Sequence, residues 1–274
     1  MPAPSQYQKL TIFEDKKHVR RLVGLGLMHD LLRVNANVDT IFIYDDFLRE
    51  AVDQTNGFWI DKVSTGTSEI VPDTAGGILR LTTGAGDNAY GGAVGQLSFN
   101  TSLNPVLVTS IRSNAVTAFK VEVGWVDAQT LAGAVNDATI ATPTSTGGDY
   151  AVGIVDDDYN TNSTLWMFAT DGSTASMNAT ITASGFAFGA APATITTAAA
   201  NTYDKMAVTI RATSATVSAA QLYRNGALLA AHGATLASQI KGAIPIAPWL
   251  FGQSRSATAR LVDIDFAILM QDRA

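Results

Sequence analysis

The sequence predicts an all-β fold, an antiparallel two-sheet jelly-roll sandwich preceded by an N-terminal helical arm. Apolar and polar residues alternate in many short runs, and Gly, Asn, Asp and Pro separate most of these runs. A strand with one buried face has a side-chain period of two, and many short strands with turn signals between them are typical of sandwiches and jelly rolls. Charged residues make up only 15% of the chain, which suits strands and turns better than exposed charged helices.

The arm differs from the rest of the chain in period and charge. Between Glu14 and Val34 the apolar residues recur at helical spacing, which indicates an amphipathic helix. We therefore expect an arm over residues 1–38 and one β-sandwich over residues 39–274. The helix either packs on its own domain or docks on a neighbouring subunit. The residues expected to dock are Lys16, Lys17, Arg20, Arg21, Leu27 and Leu31.

Strand candidates fill the remainder of the chain. In residues 119–125 the apolar side chains, including Trp125, alternate with Lys120, Glu122 and Gly124, which predicts one buried face. Asn225-Gly226 lies between two short runs and predicts a hairpin, because a type I′ turn needs two residues that tolerate positive φ. The other candidates are residues 41–47, 57–63, 77–83, 93–99, 105–112, 149–156, 164–170, 176–182, 206–210, 214–223, 246–251 and 262–268.

The order of features in the second half resembles that of the concanavalin A-like, or laminin G-like, jelly roll. An alternating strand, TYDKMAVTIRA at 202–212, leads into a strand that ends in a Tyr-x-Asn-Gly turn, TVSAAQLYRNGALLA at 216–230. A Pro-containing strand, IPIAPWLFG at 244–252, and a closing strand, ARLVDIDFAIL at 259–269, follow. The first half fits the same order with DDF at 45–47, Trp59, GILRLTTG at 77–84 and FKVEVGWVDA at 119–128.

This arrangement, over residues 40–270, is similar to that of lectin-like proteins found among tailed-phage virion genes. The resemblance implies a non-enzymatic structural protein of the virion, of the capsid decoration or cement type, that docks through its arm. Its expected partners are the major capsid protein or other virion proteins, together with further copies of itself. The alternative is a glycan-binding adhesion module of a phage tail or fibre.

Composition and charge exclude several other classes of protein. The net charge of −6 argues against a nucleic-acid-binding surface, for which a basic stripe is expected. The chain has no Cys, so neither a disulfide framework nor a thiolate metal site is available. No apolar run approaches the ~20 residues that a membrane-spanning helix needs, and the basic patch from Lys16 lacks the features of a signal peptide. We expect a protein made in the host cytoplasm and located in the virion.

A glycoside hydrolase needs two carboxylates that flank the scissile bond. The resemblance implies a Glu-x-Asp-x-x-Glu strand for such an enzyme, and none of the four Glu residues stands in that pattern. Asp263 and Asp265 are expected on one outer face of the last strand, opposite an inward Phe266, and are interpreted as interface acids. We therefore expect no enzyme, and a polysaccharide-cleaving activity is the third alternative.

Two further groups of residues are candidates for ligand binding, one for a metal ion and one for sugars. Asp156, Asp158, Asn160 and Asn162 have the alternate spacing of a calcium loop, but Thr161 stands where that loop has Gly. The preferred interpretation is a polar turn, so no cofactor is expected and calcium is the alternative. The tryptophans are interpreted as core residues, against the alternative that Trp59, Trp166 and Trp249 are exposed and stack on sugars.

Overall fold

The computed structural model describes residues 40–47, 58–72, 77–129, 132–134, 150–156, 166–171, 198–213, 217–232 and 240–272. Within these ranges the chain forms sixteen strands and one 3-10 helix, Thr101–Leu103. No helix in this part of the chain is long and apolar enough to cross a membrane. The predicted arm, and the strand candidate at 176–182, lie outside the described residues.

The strands form two antiparallel sheets, which confirms the predicted fold class. The nine-stranded sheet has the order β13-β12-β11-β7-β16-β4-β3, with β1 also paired to β16 and β14 to β12. Its strands are β1 (Thr40–Asp45), β3 (Thr67–Pro72), β4 (Gly77–Thr82), β7 (Val106–Ser113), β11 (Asp204–Ala212), β12 (Val217–Arg224), β13 (Ala227–His232), β14 (Ile240–Lys241) and β16 (Leu261–Asp272).

The second sheet has seven strands in the order β10-β9-β8-β15-β5-β2, with β6 also paired to β15. Its strands are β2 (Trp59–Val63), β5 (Tyr90–Gly95), β6 (Phe99–Asn100), β8 (Phe119–Val126), β9 (Tyr150–Asp156), β10 (Met167–Asp171) and β15 (Pro245–Ser254). The candidate at 93–99 therefore corresponds to the end of β5, a short gap and the start of β6. Strand β3 was missed by the sequence analysis.

The main core lies between the two sheets and is tied across by indole N–H groups. Trp59 Nε1 donates to Asp45 Oδ2 at 3.0 Å, and Trp125 Nε1 donates to the carbonyl oxygen of Val208 at 3.0 Å. Trp166 Nε1, next to β10, donates to Asp204 Oδ2 at 2.9 Å. Each donor belongs to the seven-stranded side and each acceptor to the nine-stranded sheet, and all three indoles are buried. The interpretation of these tryptophans as core residues is confirmed.

The Asn-Gly hairpin is confirmed. Asn225 and Gly226 join β12 to β13 and have φ of 51° and 84°, the positive values that a type I′ turn requires. The side chain of Asn225 also fixes the neighbouring strand, because its Oδ1 accepts from the backbone N–H of Lys205 at 2.9 Å.

Strand β16 corrects one expectation about side-chain direction. Val262 and Ile264 belong to the core between the sheets, whereas Phe266 packs in a separate outer cluster with Val108 and Ile268. The reason is a register shift between Ile264 and Phe266. A bulge adds one residue to the strand and thereby exchanges the faces of every side chain that follows it.

Strand β8 corrects a second expectation, that only one of its faces is buried. All eight residues of β8 are buried. Val121, Val123 and Trp125 face the core between the sheets, and the opposite face of the seven-stranded sheet carries its own apolar cluster around Trp249 and Phe251. We call this opposite side the outer face of the seven-stranded sheet.

Candidate functional site

The outer face of the seven-stranded sheet brings polar and aromatic side chains into neighbouring rows. Strand register places residues from β2, β5, β8 and β15 side by side, because every second residue of a strand points to the same face. The first row contains Tyr90, Lys120 and Gln253, the second Lys62, Gly92, Glu122 and Phe251, and the third Ile60, Val94, Gly124 and Trp249.

A buried ion pair lies in the first two rows. Lys120 and Glu122 are both fully buried, and Lys120 Nζ lies 3.3 Å from Glu122 Oε1. The other carboxylate oxygen, Oε2, accepts from Trp249 Nε1 at 2.8 Å and from the backbone N–H of Ala134 at 2.7 Å. Burying a charge is costly unless it is paired and hydrogen-bonded. These contacts therefore give Glu122 a structural role on this face.

Three aromatic rings form a continuous row along the same face. Trp249 and Phe251 stack with their centroids 5.1 Å apart at an interplanar angle of 16°, and Phe251 contacts Tyr90 at 5.4 Å and 32°. Trp249 and Phe251 are fully buried, whereas Tyr90 is half-buried. The row therefore reaches solvent at Tyr90.

Hydrogen-bonding side chains surround Tyr90 where the strands give way to loops. Arg255 Nη1 donates to Asn88 Oδ1 at 2.9 Å, and Gln253 Nε2 donates to the carbonyl oxygen of Asn88 at 3.4 Å. Gln253 is 4% exposed, and its Oε1 is buried without a hydrogen-bond partner. Together with Lys62, these residues define what we call the Tyr90 site: Lys62, Asn88, Tyr90, Gln253 and Arg255.

Two local features of the sequence shape this site. Asn88 has a φ of 62°, a left-handed conformation that Asn tolerates better than most residues. Gly92 leaves space for the ring beside Tyr90, since a Cβ there would lie 3.1 Å from Phe251 Cδ2 and 2.9 Å from the carbonyl oxygen of Leu250. The glycine-rich run GAGDNAYGG at 84–92 thus ends a loop and permits close packing on the sheet.

Lys62 is the cation of the Tyr90 site that lies on the edge strand β2. It is half-buried, and no ion pair or hydrogen bond engages its ammonium group in the part of the chain that the structure describes. Burial lowers the pKa of Lys62 from its usual value, because removal from water disfavours the charged form. An anion beside Lys62 would offset this cost.

The predicted interface acids lie on the outer face of the other sheet. Asp263 is 4% exposed and accepts from Arg80 Nε at 2.7 Å, from Arg80 Nη2 at 3.0 Å and from Arg112 Nη2. Burial acts to raise the pKa of Asp263, but the hydrogen bonds and charges of the two arginines outweigh it, so the pKa is lowered. Asp265 lies at the bulge of β16 and is half-buried. Contact of either acid with a neighbouring subunit stays a prediction.

The remaining predicted site residues are not brought together in the described ranges. The six docking residues of the arm, and Asp158, Asn160 and Asn162 of the calcium candidate, lie outside the described residues, and Asp156 is the last residue of β9. Among the described residues no group of His, Asp or Glu is placed to hold a metal ion.

Sequence reasoning missed the Tyr90 site. Its members come from three separate stretches of the chain, Lys62, Asn88 with Tyr90, and Gln253 with Arg255, and only the strand register brings them together. One signal was available, since Gly91-Gly92 directly after Tyr90 indicates close approach of another side chain to the backbone.

Several solved structures are similar to this chain. The seed lectin of Lotus tetragonolobus has a TM-score of 0.53 at 9% identity, covering 85% of this chain and 100% of the lectin. A protein of unknown function from Shewanella oneidensis MR-1 has a TM-score of 0.51 at 13% identity, covering 90% and 96%. An endo-acting O-glycanase structure from the human gut microbiota has a TM-score of 0.51 at 10% identity, covering 83% and 97%.

At these identities the likeness shows the fold alone, which is the concanavalin A-like jelly roll that the sequence resemblance implied. No protein-family model matches the sequence, and no curated protein matches it either.

Proposed function

We propose that the chain is a non-enzymatic glycan-binding module whose ligand binds at the Tyr90 site. The observation that carries this proposal is the combination of a half-buried aromatic ring with a buried, unpartnered acceptor, Gln253 Oε1. A sugar offers apolar C–H faces that stack on an aromatic ring and hydroxyl groups that donate to such an acceptor. Ligand sites commonly combine apolar walls with a few fixed polar groups. The lectin-like fold supports the same proposal by analogy.

The absence of catalysis is part of the proposal. A glycoside hydrolase needs two carboxylates at the scissile bond, with one held protonated. Glu122 lies on the outer face of the seven-stranded sheet, and Lys120, Trp249 and Ala134 contact its carboxylate. Both carboxylate oxygens of Glu122 are engaged by these groups, which suits a structural ion pair better than an acid catalyst.

The test is a glycan array followed by titration of the bound glycans. Tyr90→Ala should weaken binding by about fivefold or more, taking the range of about 1–3 kcal/mol that stacking of a nucleic-acid base on an aromatic ring contributes. Tyr90→Phe should retain most of the affinity, since it keeps the ring. Tyr223→Ala is the matched control, because Tyr223 is a half-buried tyrosine on the other sheet. Binding that survives Tyr90→Ala unchanged would place the ligand elsewhere.

The setting that we propose for this module is the virion of a tailed phage, either as an adhesion module or as a decoration protein. The resemblance of residues 40–270 to lectin-like virion proteins supports this setting. The predicted basic arm supports attachment to a capsid or tail protein. Detection of the chain in purified particles tests the setting separately from glycan binding.

A further inference from the structure

We propose that the Tyr90 site selects a glycan that carries an anionic group, a carboxylate or a sulfate. This inference rests on the proposed glycan-binding function and names the class of ligand. Two cationic residues flank Tyr90 in the sheet, Lys62 on β2 and Arg255 directly after β15. They are positioned to bind the anionic group while the sugar ring stacks on Tyr90.

Strand register fixes the placement of the two cations. Strand β5, which begins at Tyr90, lies between β2 and β15. Lys62 of β2 is opposite Gly92, and Gln253 of β15 is opposite Tyr90. Lys62 is therefore a diagonal neighbour of Tyr90. Arg255 directly follows the end of β15, and its Nη1 contacts the side chain of Asn88, two residues before Tyr90. Diagonal neighbours across strands are about 7–8 Å apart, within reach of long side chains.

Lys62 supplies the strongest reason to expect an anion. Its ammonium group is half-buried and has no carboxylate beside it in the described structure, whereas Lys120 on the same face is paired with Glu122. A partly desolvated cation binds an anion more strongly than a fully hydrated one, because less water has to be removed on binding.

Arg255 supplies the second charge in a fixed position. Its Nη1 donates to Asn88 Oδ1 at 2.9 Å, and its backbone N–H donates to the carbonyl oxygen of Ala118 at 3.0 Å. A guanidinium presents several N–H donors in a planar fork, which matches the oxygens of a carboxylate or a sulfate. Because the arginine is already oriented, little side-chain entropy is lost when an anion binds.

The net charge of the whole protein does not favour an anionic ligand. The chain carries −6 overall, so general electrostatics repel an acidic glycan. On the other sheet, Arg80 and Arg112 are engaged by Asp263. We expect the preference for an anionic ligand to depend on the cations of the Tyr90 site, and the Lys62→Met and Arg255→Met variants test this.

The experiment compares matched pairs of oligosaccharides by titration calorimetry on the full chain. One pair is a uronic-acid oligosaccharide and the same compound with its carboxyl groups reduced to alcohols. The other pair is a sulfated oligosaccharide and its desulfated form. We expect one anionic form to bind about tenfold more tightly than its neutral partner, as for a close charge pair at an interface. The preferred pair identifies the anionic group.

Variants assign the preference to the site. Lys62→Met should remove most of the difference in affinity between the charged and the neutral form, and Arg255→Met should reduce that difference. Lys205→Met is the control, because Lys205 is a half-buried lysine on β11 of the other sheet. Circular dichroism checks that each variant is folded.

Two results would overturn the inference, and they differ in what else they affect. Equal affinity for the charged and neutral forms rejects anion selection, and a preference unaffected by Lys62→Met rejects its assignment to the Tyr90 site. Both results leave glycan binding in place. Failure of every glycan on the array to bind rejects the proposed function itself.

Discussion

At the scale of single residues, the feature with the largest desolvation cost is the buried ion pair on the outer face of the seven-stranded sheet. Lys120 and Glu122 are both fully buried, so neither charge is compensated by bulk water. The indole N–H of Trp249 and the backbone N–H of Ala134 also donate to Glu122. Removal of one charge therefore has a different effect from removal of both.

Lys120→Met should lower the free energy of unfolding by about 3–5 kcal/mol, because it leaves a buried carboxylate without its cation. Glu122→Gln should have a similar effect, because it removes the anion that is paired with the buried ammonium group of Lys120. The double variant should lose clearly less than the sum of the two single losses, as measured by urea denaturation in a double-mutant cycle. Lys205→Met serves as the control and should change stability by no more than about 0.5 kcal/mol. Additive losses would show that the two charges do not interact.

At the scale of elements, turns and bulges decide how the strands are used. The Asn225-Gly226 turn sets the register of β12 against β13, and the bulge of β16 lets one strand supply both the main core and the outer cluster around Phe266. Both devices act through backbone conformation rather than through side-chain volume.

Gly226→Val should destabilise the hairpin, because a β-branched side chain at a φ of 84° costs of the order of 1–3 kcal/mol. Thermal unfolding followed by circular dichroism should show a lower Tm with an unchanged oligomeric state. Gly86→Val is a matched control, since Gly86 lies in an exposed loop and a Cβ there would meet only the side chain of Ala89 at 3.8 Å. Equal effects of the two substitutions would contradict the role assigned to the turn.

The sequence predicted most of the described strands, although not β3, but it could not predict what lies beside them. Alternation identified residues 119–125 and 262–268 as strands and correctly placed Trp125 in the core. It interpreted Lys120 and Glu122 as a polar surface, because a period of two does not show that a second layer covers the polar face. It also placed Phe266 inward, since a one-residue bulge leaves no mark in the pattern of residue types.

The candidate site was less predictable than the fold for a physical reason. Lys62, Tyr90 and Gln253 are far apart in the chain and belong to three strands, so their proximity depends on strand order and register. Local sequence patterns determine neither. Asp263 of β16 was recognised in the sequence, yet its partners Arg80 and Arg112 come from β4 and β7 and became apparent only in the sheet.

At the scale of the whole molecule, the charge cluster of Asp263 couples stability to pH. The folded-state pKa of Asp263 is lowered, since Arg80 and Arg112 outweigh the effect of its burial. A lowered pKa stabilises the folded state fully above the unfolded-state pKa of about 3.9, and the contribution is lost as the pH falls through the lower, folded-state pKa. The cluster joins three strands of the nine-stranded sheet, so its loss should weaken the whole sheet.

Asp263→Asn should lower the free energy of unfolding at pH 7 by about 1–3 kcal/mol, as for hydrogen bonds to a charged group. It should also reduce the decline of stability below about pH 4 that the wild-type protein shows. Urea denaturation at a series of pH values measures both effects. Asp265→Asn, on the same strand, is the control and should change the stability at pH 7 by no more than about 0.5 kcal/mol. A wild-type acid dependence in Asp263→Asn would contradict this assignment.

The indole ties between the sheets have an optical consequence. Trp59, Trp125 and Trp166 donate across the interior, and Trp249 donates to Glu122, so each of the four indoles is buried with a fixed acceptor. Their emission therefore reports a dry environment for as long as the two layers remain packed together. Water reaches three of the four chromophores only when those layers separate. The intrinsic tryptophan fluorescence of this protein should therefore report whether its two sheets are packed together.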